Sequence, residues 1–166
     1  MEDFETPDLF RINLDQIKNI YKRNNYLLYY KNSKLKLKLD NVGIYKIENN
    51  PYTNKIHVKF RIDDSQKNKL IEIEDKIFGN LGLKPFDCKS MIINNILNTK
   101  IIERYKKFEI DIFDEFNRLI TISELKDETI ADIEIELRNV WKLNLNENVK
   151  YGIIVVVSKI ALRRNN

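Results

Sequence analysis

Hydrophobic and polar positions alternate with a period of two in several stretches on either side of a differently patterned middle. Lys34-Leu35-Lys36-Leu37-Lys38-Leu39 alternates strictly, which predicts a half-buried strand with leucines inward and lysines outward. An Asn32-Ser33 turn signal precedes it, within a strand-like stretch that begins at Tyr26. Asp40-Asn41-Val42-Gly43 reads as the strand's end and Asn49-Asn50-Pro51 as the next loop. Lys55–Ile62 alternates again, with Ile56, Val58, Phe60 and Ile62 inward and Lys55, His57, Lys59 and Arg61 outward. Before these, Leu9–Tyr21 reads as a strand followed by a short helix.

The period changes after Ile62. Asp63, Asp64 and Ser65 offer N-cap chemistry, and Leu70, Ile73, Ile77 and Leu81 recur at spacings of three and four. This predicts an amphipathic helix closed near Gly79–Gly82. Ser90–Leu97, with Met91, Ile92 and Ile96 apolar, reads as a second helix, so the helical insert spans about 66–97. Period two then returns. Phe108, Ile110 and Ile112 alternate with Glu109 and Asp111, and Ile133, Ile135 and Leu137 alternate with Asp132, Glu134, Glu136 and Arg138. Tyr151–Leu162 is almost continuously apolar, as in a strand covered on both faces. The order strands, helical insert, strands predicts a mainly β fold, an OB-like antiparallel β-barrel with a central helical insert, as one domain over 1–166.

Composition narrows the class. With 43% hydrophobic and 33% charged residues the chain is globular, and four Gly and three Pro leave no linker to divide it. No apolar run approaches the roughly 18 residues of a membrane span, so no membrane partner is expected. The acidic N-terminus lacks a signal-peptide layout. The single Cys88 admits no internal disulfide and no cysteine-based zinc site. The expected location is intracellular.

Charge changes the picture more through its distribution than through the net +4. Between Lys18 and Arg61 there are eleven Lys/Arg against only Asp40 and Glu48; between Glu109 and Glu147 there are eleven acids against four bases. Six of the eight tyrosines also lie in the basic window: Tyr21, Tyr26, Tyr29, Tyr30, Tyr45 and Tyr52. Cations at every second strand residue, about 6.6 Å apart, suit a phosphate backbone, and aromatic faces stack on any base at about 1–3 kcal/mol each. The candidate nucleic-acid-binding residues are Tyr26, Tyr29, Tyr30, Lys34, Lys36, Lys38, Tyr45, Lys46, Tyr52, Lys55, His57, Lys59, Arg61 and Trp141. Some of these tyrosines are expected to be structural, with buried rings and wet hydroxyls. The acidic strand faces (Glu109, Asp111, Asp132, Glu134, Glu136) read as the solvent side away from the ligand, or as a surface for a basic partner such as another copy.

Other chemistries find little footing. His57 is the only histidine, and it alternates outward among cations, a poor setting for a general base. Cys88 reads as an inert small hydrophobe. Glu74-Asp75-Lys76 and Glu124-Leu125-Lys126 match the Glu-x-Lys element of metal-dependent nucleases, but they fall in a helical pattern and a turn, whereas those enzymes hold Mg²⁺ from a strand. No Gly-rich phosphate loop, helix-turn-helix or zinc finger is present. The expectation is a non-enzyme without cofactor or metal.

Near the C-terminus, Ile133-Glu134-Ile135-Glu136-Leu137-Arg138-Asn139-Val140-Trp141 is followed by Tyr151-Gly152-Ile153 and a strand to Leu162. This resembles the closing strands of OB-fold single-stranded-DNA-binding proteins of phages and large DNA viruses, and Lys34–Ile47 is similar to their first barrel strand and its exit. The resemblance covers about two-thirds of the chain. It implies sequence-independent binding that protects and organises single-stranded DNA (RNA less favoured) during viral or phage DNA replication; replication proteins and, through the oppositely charged faces, further copies of the chain are candidate partners. One departure is the ending Arg163-Arg164-Asn165-Asn166, where several phage members carry an acidic tail. The alternatives are a non-catalytic viral structural or assembly protein, self-associating through oppositely charged faces, and a metal-dependent nuclease.

Overall fold

The computed structural model describes residues 6–50, 52 and 55–164. Its strands in chain order are β1 (Ile17–Lys22), β2 (Asn25–Tyr30), β3 (Ser33–Lys34), β4 (Lys36–Asn50), β5 (Lys55–Arg61), β6 (Ile92–Ile93), β7 (Ile96–Ile101), β8 (Glu103–Arg104), β9 (Lys107–Phe108), β10 (Asp111–Phe113), β11 (Ile130–Leu145) and β12 (Asn148–Leu162), with one helix, α1 (Asp64–Asn80).

Five strands form a ring in the order β11-β4-β5-β7-β12, closed by the β11–β12 hairpin. Every pairing in it is antiparallel except β7 with β12, which run parallel. This is an OB-like barrel with a helical insert, as the alternation predicts. Leu35, Leu37, Leu39, Ile44, Val58, Phe60, Leu97, Ile133, Ile135 and Val157 fill its interior. The β1–β2 hairpin extends the sheet beyond the ring by pairing with β11 at Asn139 and Val140.

The helix α1 begins in a capping box: Gln66 N–H donates to the Asp63 carboxylate (2.7 Å), and Asp63 N–H donates to Gln66 Oε1 (3.0 Å). Gln66 Nε2 also donates to the Asp40 carbonyl (2.7 Å), which fastens the helix start to β4. At the other end, Asn19 donates to the Ile77 carbonyl (3.1 Å), so α1 seats against β1.

Several expectations are corrected. Leu9–Tyr21 holds two 3₁₀ turns, Leu9–Arg11 and Leu14–Gln16, followed by β1, in place of strand then helix. The strand carrying Lys36–Leu39 does not end at Asp40-Asn41-Val42-Gly43. It runs on to Asn50, because Asn41 takes a positive φ of 60° in an irregularity of the pairing with β11, and Val42 and Ile44 return to the interior. Asn49 and Asn50 are strand residues, and Pro51 lies outside the described residues.

Ser90–Leu97 is a hairpin and not a helix. Asn94 and Asn95 both adopt positive φ (52° and 60°), the geometry of a two-residue hairpin turn, which asparagine tolerates well. The helical insert is therefore α1 with a 3₁₀ turn at Pro85–Asp87. Phe108, Ile110 and Ile112 do not share one strand, because β9 and β10 are separate. Among the described residues, no helix is long and apolar enough to cross a membrane.

Candidate nucleic-acid interface

The outward row of β5 stands in the middle of a three-strand face. Across β4, Lys59 pairs with Lys46, His57 with Glu48 and Lys55 with Asn50; across β7, Arg61 pairs with Ile96, Lys59 with Asn98 and His57 with Lys100. The bulge at Tyr45 turns that ring under Arg61, whose guanidinium lies 4.4 Å from the ring centroid. Glu48 sits between Lys46 and Lys59 (3.3 and 3.2 Å). Hydrogen bonding from Lys59 first, then Lys46, holds its carboxyl below the usual range.

At the Arg61 end, Tyr45, Lys59, Arg61, Lys89, Trp141 and Ile153 line a groove of about 530 Å³ together with the β6–β7 hairpin. Trp141 stands on β11 opposite Gly152 of β12, and its indole occupies the space that a side chain at 152 would need. Ile93 at the hairpin tip is 71% exposed. The groove therefore has an apolar, aromatic floor with three cations (Lys59, Arg61 and Lys89) around it. That combination suits a planar apolar group attached to an anion.

A buried carboxylate holds one wall. Glu74 of α1 accepts hydrogen bonds from Ser90 Oγ (3.0 Å) and Met91 N–H (2.6 Å), and both residues line the groove. Burial pushes its carboxyl above the ordinary range, against the opposing pull of those bonds. Glu74 is thus occupied within a helix. Glu124 accepts from Thr121 N–H (2.7 Å) in a 3₁₀ capping box, so neither Glu-x-Lys element stands on a strand. Among the described residues no cluster of three or more His, Cys, Asp or Glu side chains could hold a metal ion. Burial also raises the Cys88 thiol, which suppresses thiolate chemistry.

The structure brings together Tyr45, Lys46, Lys55, His57, Lys59, Arg61 and Trp141, and places the other candidates on the first half of β4 or on other elements, with Tyr26 in register with Val140 beside Trp141. Lys36 and Lys38 lie on the first half of β4, where their register partners on β11 are Glu136 and Glu134. That lysine row is interleaved with acids and does not continue the β5 row. Lys34 stands on β3, paired with Tyr29 of β2. Tyr30 is only 6% exposed, and its hydroxyl accepts from Asn13 N–H (3.1 Å), so it belongs to the core. Tyr26 packs on Tyr21 (centroids 5.0 Å apart) on the projecting hairpin. Tyr52 is exposed in the β4–β5 connection.

The acidic strand is also less free than its alternation implies. Glu136 is 5% exposed and paired with Arg138 (2.7 Å), and Asp132 binds Arg163 (2.6 Å) and Asn41 N–H (2.9 Å).

The face includes residues that the alternation did not single out: Lys89, Ile93, Ile96, Asn98 and Lys100. For Ile96, Asn98 and Lys100 the signal was present in Ile96–Ile101, where Leu97, Thr99 and Ile101 are buried and these three alternate outward.

The class defined by this architecture is the OB-like barrel, whose second and third strands form the usual ligand face; here these are β5 and β7. The fold is shared with single-stranded DNA-binding protein structures from bacteriophage Enc34. A C-terminally truncated form aligns with TM-score 0.53 at 12% identity over 92% of this chain and 97% of that one. The form solved in complex with ssDNA gives TM-score 0.52 at 12% identity over the same shares. A third structure of that protein gives 0.51 at 14% identity over 90% of each chain. No protein-family model and no curated protein sequence matches the chain.

Proposed function

We propose that this protein binds single-stranded DNA without sequence preference, on the β4–β5–β7 face, and that it binds rather than transforms its ligand. The observation that carries this reading is the groove in which Trp141 and Tyr45 lie among Lys59, Arg61 and Lys89. Bases stack on aromatic faces whatever their identity, and the cations take the phosphates. Duplex DNA keeps its base faces stacked inside the helix, so it would find the cations but not the aromatic floor. The Enc34 protein of similar fold, solved in complex with ssDNA, supports the same ligand class. A role in phage or viral DNA replication follows as part of this proposal.

The test is fluorescence polarisation with single- and double-stranded oligonucleotides at two salt concentrations. Preferential binding of the single strand, weakening steeply with salt, is the expected result. Negligible binding of both, or equal binding of both, would sink the reading.

A further inference from the structure

At the opposite end of β5 from Trp141, Lys55, Lys100 and Lys106 line a second hollow of about 390 Å³. Lys55 and Lys100 are diagonal neighbours across β5 and β7, since His57 is the register partner of Lys100. Lys106 arrives by another route. With Tyr105 it forms the two-residue turn of the β8–β9 hairpin, both residues at positive φ (54° and 63°), and the turn holds Tyr105 92% exposed beside the hollow.

The charges here are unbalanced. Glu103 also lines the hollow, yet among the described residues none of the three ammonium groups has a carboxylate within ion-pair distance. The nearby Arg138 is already held by Glu136. Lys100 is half-buried, and burial first, then Lys55 and Arg138, lower its pKa from the ordinary lysine value. A partly desolvated cation among other cations is unfavourable until an anion joins it. The exposed ring of Tyr105 adds a stacking surface that a bare anion would not use.

We propose that Lys55, Lys100 and Lys106, with Tyr105, form a distal phosphodiester-binding site for the same DNA strand whose bases occupy the Trp141 groove. This rests on the single-stranded DNA reading and extends it, by giving the strand a second anchor and therefore a minimum length. Arg61 and Lys55 are six residues apart on one strand, about 20 Å, so a ligand of a few nucleotides fills the groove without reaching the hollow.

The experiment compares oligothymidylates of about 4 and about 16 nucleotides, the extremes of site size for such barrels, across a salt series. The Lys100→Gln/Lys106→Gln double variant should keep its affinity for the short oligonucleotide and lose affinity for the long one. Its slope of log K against log salt should fall by about 1.4, at about 0.7 for each single-strand phosphate no longer neutralised. Tyr105→Ala should weaken the long ligand alone. Unchanged binding of the long oligonucleotide, or an equal loss on both lengths, would overturn the distal site while leaving the Trp141 groove standing. If the unmodified protein binds neither length, the single-stranded DNA reading itself fails, a result separable from the others. Removing an unpaired half-buried cation does not threaten folding, and an unchanged or raised melting temperature for Lys100→Gln will show it.

Discussion

Trp141 and Gly152 face each other across the β11–β12 hairpin, and the indole lies where any β-carbon at 152 would have to be. The ring at the floor of the groove therefore owes its position to a hydrogen atom on the next strand. Gly152 has no unusual φ to explain it; the requirement is one of space.

Gly152→Val should displace the indole from its seat. The expected cost is about 1–3 kcal/mol of stability, as for overpacking at a tight contact, with a larger proportional loss of single-stranded DNA affinity. Trp141 is the only tryptophan, so its emission reports the ring directly. A red shift in the variant's spectrum checks the displacement, and an unshifted spectrum would contradict it.

Trp141→Ala should weaken single-stranded DNA binding by about 1–3 kcal/mol, the usual worth of one stacked base. In the unmodified protein the same stacking should quench tryptophan emission on titration with oligothymidylate. Quenching that is absent at saturation would place the bases elsewhere.

Lys59→Gln and Arg61→Gln should each reduce the salt dependence of binding, whereas Lys36→Gln with Lys38→Gln should change it little. The contrast follows from position, because Lys36 and Lys38 lie on the part of β4 that pairs with β11 and not on the β5 face, whereas Lys59 and Arg61 stand on that face and would exchange their ion pairs with Glu48 and Glu128 for phosphates. Salt titrations of the two sets of variants separate them; equal effects would mean that the strand wraps around β4.

The buried Glu74 makes stability depend on pH. Its folded-state pKa is raised above the unfolded value, chiefly by burial. The native state therefore binds its proton more tightly than the unfolded chain, and this contribution to stability is lost as pH rises from about 4.5 through the folded value. Glu74→Gln should remove that loss, with unfolding curves for the two proteins diverging as pH rises. Glu74→Ala, which leaves Met91 N–H without its acceptor, should cost about 1–3 kcal/mol, measured by denaturant unfolding.

Tyr30→Phe should lower stability by about 1 kcal/mol through loss of the hydroxyl's bond to Asn13 N–H. Its affinity for single-stranded DNA should be unchanged, which distinguishes a core tyrosine from a stacking one.

Much of the proposed binding face was legible from local pattern alone. A strand whose aliphatics fall on one side must send Lys55, His57, Lys59 and Arg61 to the other, whatever it pairs with, because successive side chains alternate between faces. The inward and outward sets of β5 followed from that parity, as did the capped helix after it from its spacing of three and four. Ser90–Leu97 escaped because Met91, Ile92 and Ile96 suit either period over so short a run. The two asparagines between them, which favour a tight turn, were the better guide.

What the pattern could not carry was which strands lie side by side. The lysines at 36 and 38 look like the start of the β5 row until register sets them against acids about 100 residues later in the chain. Tyr30 and Tyr45 are the same residue type in the same basic window, yet one is sealed beneath Asn13 and the other is turned out by a bulge. Alternation is a property of a single strand and is written in neighbouring residues. The seating of Trp141 on Gly152 and the gathering of Lys55, Lys100 and Lys106 depend on long-range pairings that form only when the barrel closes.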